Sequence, residues 1–297
     1  MDRRTFMRTS LAGAAGLALA GAGQAAEGDK PRASGVRARD IRDHLLAMGP
    51  WVDPASTVDT FKSGDPEAVV TRVAVCWMNY TWVVRKALDL GCQMIVCHEP
   101  TYYEHWDRDP SVFDFEFARR KKTLIESSGI IILRCHDVWD RVEKIGIPYA
   151  WGEFLGFSRL VDKTTFCLAY EIDEVPAGTL ARTVAGRVAA LGQQAVELYG
   201  PSDKPVRRVV LGTGAITPFE EMVGKLKADA VICSDDGFTR WRHGTMAVDM
   251  GLPAIVVSHG VSEEPGVRRL AEHLAGAFPS LTVVPILQEC VFQTIRA

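Results

Sequence analysis

The sequence predicts an α/β protein built from two similar α/β halves with largely parallel sheets, and three observations carry that expectation. Short continuous apolar runs rich in Val and Ile alternate with amphipathic helical stretches, the pattern of strands buried on both faces of a parallel sheet. Four of these runs are entered through a glycine or small-residue break and left through polar residues. The halves also look alike, since Arg72-Val73-Ala74-Val75 and the helix after it match Arg208-Val209-Val210-Leu211 and its helix. Parallel sheets place ligands beyond the carboxyl ends of their strands. The polar clusters are therefore expected to converge on one crevice between the halves.

In chain order, residues 1–26 have the features of a twin-arginine export signal. Arg3 and Arg4 are followed by Phe6, Met7 and Arg8, then by a soft apolar run over 11–20 that is too short and too rich in Gly and Ala to span a bilayer. Small residues at Gly23, Ala25 and Ala26 suit a peptidase. The expected mature protein, 27–297, is exported already folded to the periplasm or beyond, a route suited to a chain that loads a cofactor before it leaves. Its halves are expected over about 41–160 and 201–290, with a middle segment over 161–200.

A strand over 73–76 and a helix over 82–90 lead through Gly91 to the run 93–97, which ends in His98-Glu99-Pro100. A helix over 115–127 leads through Gly129 to the run 130–133, then to His136 and Asp137, with Asp140 just beyond. In the middle segment, 164–172 alternates like a half-exposed strand, 179–190 reads as a helix and 195–199 as a strand, with a linker at 201–205. The second half repeats the plan. A strand over 208–211 and a helix over 218–227 precede the run 230–233 with Ser234-Asp235-Asp236. A helix over 244–250 precedes the run 254–257 with Ser258-His259-Gly260.

With 34 basic and 37 acidic residues and no basic stripe interleaved with aromatics, nothing points to nucleic acid. No later stretch approaches the ~18 consecutive apolar residues of a membrane span, so no membrane association is expected once the signal is removed. The one basic cluster, residues 119–122, is expected to be a solvated helix face. Seven cysteines, none in a C-x-x-C pair, argue against a disulfide framework. Cys97, Cys135 and Cys233 end apolar runs and are expected to be small buried hydrophobes.

The polar strand ends carry the chemistry. His259 and Glu263 lie four apart, one face of a first helical turn. Asp140 lies four beyond His136, and His98-Glu99 follows a buried strand. Each has a plain alternative: a helix-start glutamate favoured by the macrodipole, a capping aspartate, a pair of loop polar residues. Together His98, Glu99, Asp140, His259 and Glu263 would offer two imidazoles and three carboxylates. Carboxylates can bridge two ions, and imidazole suits Mn, Fe or Zn better than Mg or Ca.

Thr71-Arg72-Val73-Ala74-Val75, Ile95-Val96-Cys97-His98-Glu99-Pro100, His136-Asp137-Val138-Trp139-Asp140, Leu211-Gly212-Thr213-Gly214-Ala215 and Ser258-His259-Gly260-Val261-Ser262-Glu263 resemble, in this order, the motifs of the NIF-three-like dinuclear metal family. Part of that family carries the label GTP cyclohydrolase I type 2, and the resemblance spans about 41 to 287. It implies two divalent metal ions (Mn, Fe or Zn) held by His98, Glu99, Asp140, His259 and Glu263. The family's first motif is two histidines before a proline, so Glu99 departs from the pattern and adds an oxygen donor and a negative charge. Two functions follow as expectations. The first is a metal-dependent hydrolase acting on a small-molecule substrate, with Tyr102, Tyr103, His105 or Asp137 handling protons. The second is a non-catalytic metal-binding or ring-forming scaffold protein. The resemblance also implies a homo-oligomer, possibly a ring.

Overall fold

The structure, a computed structural model, describes residues 35–215 and 218–295. The expected export signal over 1–26 lies outside these residues.

Two sheets form. In the first, Thr282–Pro285, Arg72–Cys76, Met94–Cys97 and Ile131–Arg134 run parallel in that spatial order, with Phe61–Ser63 antiparallel at the far edge. In the second, Pro205–Leu211, Ala230–Ser234 and Ala254–Val257 form a parallel centre. Antiparallel strands flank that centre, Leu168–Pro176 and then Arg159–Lys163 on one side and Glu197–Tyr199 on the other. A short ladder pairs Val36–Arg37 with Val69–Val70.

The near-continuous apolar runs work because side chains alternate between two buried faces. In the first sheet Val73, Val75, Met94, Val96, Ile131 and Leu133 enter one core, while Ala74, Cys76, Ile95, Cys97 and Ile132 enter another. The second sheet divides in the same way, Val209, Leu211 and Ile232 to one side and Val210, Val231 and Cys233 to the other. Each fully buried Val, Leu or Ile contributes roughly 1.5–3 kcal/mol before entropy is counted. Cys97, Cys135 and Cys233 are buried free thiols, and burial pushes Cys97 up to about 12.

Helix Thr81–Asp89 covers the first sheet with Val83, Val84 and Ala87. Helix Glu116–Ser128 covers it with Ala118, Lys121 and Ile125, then stops where Gly129 turns left-handed at φ 69°. The basic cluster therefore splits, contrary to the solvated-face expectation. Residue 121 falls on the same helical stripe as 118 and 125, so Lys121 is fully buried while Arg119 and Arg120 are exposed. Its ammonium donates to the Thr101 carbonyl and lies 4.8 Å from the Tyr103 ring centroid, and burial lowers its pKa to about 8.

The middle segment also differs from expectation. The strand expected over 164–172 begins only at Leu168, as Leu168–Pro176, because the chain reverses at 164–167 out of a preceding antiparallel strand, Arg159–Lys163, with the Thr164 amide donating to the Cys167 carbonyl at 2.9 Å. Helix Ala177–Ala189 follows, and Glu197–Tyr199 forms the opposite edge. The sequence between Tyr199 and Pro205 thus joins two strands of one sheet. Helix His259–Ala277 starts beyond the second sheet and delivers Thr282–Pro285 to the first. Its Val261 packs in a core of the second sheet, its Val267, Leu270 and Leu274 in a core of the first. Among the described residues no helix is long and apolar enough to cross a membrane.

Candidate metal centre

Three strand ends and one glycine turn build the site. The strand Met94–Cys97 delivers His98, fully buried, and Glu99. The strand Ile131–Arg134 delivers His136 and Asp140 through a turn held from below by buried Asp59. Asp59 Oδ1 accepts from the amides of His136 (2.6 Å) and Asp137 (3.0 Å), and its Oδ2 accepts from Val138 (2.9 Å). The strand Ala254–Val257 delivers His259 and Glu263 on the first turns of the long helix, where Asp235 Oδ1 accepts from the His259 amide at 2.8 Å. The fourth piece is Gly214, at φ 58°. A Cβ there would fall 2.2 Å from Glu263 Oε1 and 3.0 Å from His259 Nε2, so only glycine lets the turn close over these side chains.

His98 Nδ1 lies 3.0 Å from the Cys135 carbonyl and must donate to it. In the neutral ring this leaves the lone pair on Nε2, which faces two acceptors, Asp140 Oδ1 at 3.2 Å and Glu263 Oε2 at 3.5 Å. That nitrogen is buried and has no hydrogen-bond partner. His259 repeats the arrangement. Its Nδ1 lies 3.1 Å from Asp236 Oδ2, and its Nε2 lies 3.2 Å from Glu99 Oε1 and 3.0 Å from Glu263 Oε2. Glu263 Oε2 thus stands in both sets, and the Trp77 indole donates to it at 2.8 Å. Lone pairs packed against carboxylates repel unless a cation lies between them, whether proton or metal.

The electrostatics agree. Burial alone would lower His98, but Glu263, Asp140 and Glu99 outweigh it and push it up to about 9. His259 is raised further against burial by Glu263, Asp236 and Glu99. Glu99, despite its burial, is held well below the usual carboxylate range by His259, His98 and His136. Arg134, 3.3 Å from Glu99, is the guanidinium within the cluster. Three groups of donor atoms could hold a metal ion: His98, Asp140 and Glu263; Glu99, His259 and Glu263; and His98, Glu99 and His136.

All five sequence-derived ligand candidates therefore come together. The candidate proton carriers divide. Tyr103 and His105 line a cavity of about 350 Å³ over the cluster, with Trp77, Phe166 and Thr213. Tyr102 does not line it. Asp107 accepts from the amides of Thr101 and Tyr102 and pins the loop, and the Tyr102 ring turns onto Phe113 at 5.1 Å. Asp137 sits beside the cluster and orients it, accepting from Thr57 Oγ1 at 2.7 Å and lying 3.0 Å from His136 Nδ1. Sequence reasoning placed His136 and Asp236 among the polar strand ends facing the crevice without naming them as ligands, and it did not assign Trp77 or Asp59 to the site. His136 had a signal in its spacing to Asp140, and Asp236 in its polar turn. Asp59, far off in sequence, had none.

Comparison with known proteins gives the family and the fold. Residues 58–290 match the family Duf34/NIF3 (NGG1p interacting factor 3). A Clostridium acetobutylicum protein named GTP cyclohydrolase 1 type 2 homolog is 25% identical over 236 residues, 75% of this chain and 84% of that one. The crystal structure of a Bacillus cereus protein related to NIF3 superposes with a TM-score of 0.72 at 14% identity, covering 88% of this chain and 100% of that one. A Staphylococcus aureus hypothetical protein gives 0.71 at 15% identity, with 86% and 97% covered. These two likenesses concern the fold. On the match across residues 58–290, the chain belongs to the Duf34/NIF3 family.

Proposed function

We propose that this chain is a metal-dependent hydrolase with a dinuclear divalent-metal centre, acting on a small-molecule substrate. His98, Asp140 and Glu263 would hold one ion and Glu99, His259 and Glu263 the other, drawn from Mn, Fe or Zn. The supporting observation is His98 Nε2, a buried nitrogen without a hydrogen-bond partner that faces two carboxylates. The chemistry such a pair of ions supplies is polarisation of the bond under attack and activation of water near neutral pH.

The chain's own groups do the rest. His105 is held below its ordinary value by burial, Arg134 and His136, so it stays neutral at pH 7 with a ring nitrogen free to take a proton. Burial raises Tyr103, which keeps its hydroxyl proton and can donate it in a hydrogen bond. Asp137 fixes the His136 Nδ1 proton, turning Nε2 toward Glu99 at 3.8 Å. Trp77 and Phe166 give the cavity apolar walls beside the histidine–carboxylate cluster.

Turnover of phosphoester, cyclic amide or nucleotide substrates that is lost on chelation and restored by the metal is the expected result. Full metal content without turnover on any of these classes would instead support the non-catalytic metal-binding or scaffold protein. The proposal includes export in folded form, so replacing Arg3 and Arg4 by Lys should strand the protein in the cytoplasm. It also includes a homo-oligomer. Trp241 and Val248, seven residues apart on one face of helix Arg240–Asp249 and both exposed, are apolar side chains of the kind a subunit contact covers.

A further inference from the structure

Arg141 follows Asp140 directly and differs from the other cations around the site. Its guanidinium carbon lies 5.0 Å from the Trp51 ring centroid and 6.0 Å from that of Phe166. Among the described residues its side chain makes no ion pair within 4.0 Å and no hydrogen bond. The neighbouring cations are engaged: Arg134 with Glu99 and the His98 carbonyl, Lys163 with Glu143. Aromatic contacts use the faces of a guanidinium and leave its in-plane N–H donors free.

Those donors border open space. Arg141 lines two cavities of about 380 and 430 Å³, and Asp140 lines both of them as well as the cavity over the histidine–carboxylate cluster. Phe166 lines the larger of the two and the cavity over the cluster. A molecule seated over the cluster can therefore extend past Asp140 and Phe166 to a half-buried, unpaired guanidinium. The fork of N–H donors matches an oxyanion better than any other common ligand group.

We propose that Arg141 is an anion subsite, which binds a phosphate or carboxylate group of the substrate whose reacting end lies over His98, Asp140 and Glu263. The assignment rests on the hydrolase reading for the position of that reacting end. It narrows the substrates to small molecules carrying an oxyanion at one end and a hydrolysable bond at the other. The acidic wall formed by Asp53, Asp137 and Asp140 adds a preference, because it opposes a second negative charge on the bound group.

The test is calorimetric titration of the full, metal-loaded chain with inorganic phosphate and, separately, with acetate. The parent, Arg141→Lys and Arg141→Met are compared, with metal content and far-UV circular dichroism measured on each. Arg141→Met is expected to bind the preferred anion about tenfold or more weakly than the parent at unchanged metal content. Arg141→Lys should fall between, since it keeps the charge and loses the fork. Which anion loses affinity tells phosphate from carboxylate. Equal affinities in parent and Arg141→Met, or no binding of either anion by the parent, would overturn the proposal. So would loss of metal from Arg141→Met, which would make the guanidinium a support for the Asp140 turn. A parent that holds no metal would instead strike the hydrolase reading, and the comparison of parent with Arg141→Met would still report on Arg141.

Discussion

The two sheets share a run of three parallel strands and end them differently. In the first sheet two neighbouring strands each deliver a pair of polar groups, His98 with Glu99 and His136 with Asp140. In the second, the strand Ala254–Val257 delivers both His259 and Glu263, carried on the helix that follows, while its neighbour supplies Asp235 and Asp236 behind His259. The leading strands differ most. Beyond Arg72–Cys76 stands Trp77, which donates to Glu263; beyond Pro205–Leu211 comes Gly214, whose missing side chain makes room for Glu263. A repeated topology has thus been given complementary ends, and both leading turns serve one carboxylate.

The largest effect is expected on the first-sheet side. Asp59→Ala removes the acceptor of three backbone amides and leaves them unpaired under the His136–Asp140 turn. A loss of about 3 kcal/mol in urea denaturation is expected, at roughly 1–3 kcal/mol per unsatisfied buried group with partial relaxation. A loss below about 1 kcal/mol would mean that the turn holds itself.

Glu99→His sharpens the same half. Exchanging carboxylate for imidazole should lower the Mn/Zn affinity ratio, by analogy with the ~10–100-fold changes that even partners of ligands produce. An unchanged ratio would place Glu99 outside the coordination set. The pH dependence of metal affinity follows from His98. Its proton, held up to about 9, must leave for an ion to bind. Apparent affinity for the ion held by His98, Asp140 and Glu263 should therefore fall as pH falls through the neutral range, by up to about tenfold per pH unit for one displaced proton. The ion at His259, whose proton is also held up, should show the same sign. A flat profile from pH 6 to 8 would exclude His98 as a ligand.

On the second-sheet side, Gly214→Ala places a β-carbon at positive φ against Glu263 and His259. About 1 kcal/mol of thermal stability should be lost, together with bound metal. Full metal retention would show that the turn has other room to give.

Much of this was legible in the sequence because parallel strands buried on both faces write their positions as continuous Val and Ile runs, and their ends as abrupt polar residues. Short-range geometry was equally readable, as the four-residue spacing of His259 and Glu263 shows. What could not be read depends on distant pairing or on the phase of a helix. Asp59 reaches the His136 turn across the fold, Lys121 falls on the inward stripe of a charged helix, and 164–167 reverses the chain where alternation suggested one strand. Tyr102 was misjudged for a similar reason, since only the Asp107 clasp decides which way its ring turns.

The sharing of Glu263 between the halves is tested most directly by counting metal. Elemental analysis of the exported parent beside Glu263→Gln, Asp140→Ala and His259→Ala should give two ions in the parent. Glu263→Gln should hold close to none and each of the other two variants at most one, because Glu263 Oε2 faces both His98 and His259. A parent with a single ion, or Glu263→Gln retaining two, would contradict a centre shared at that carboxylate.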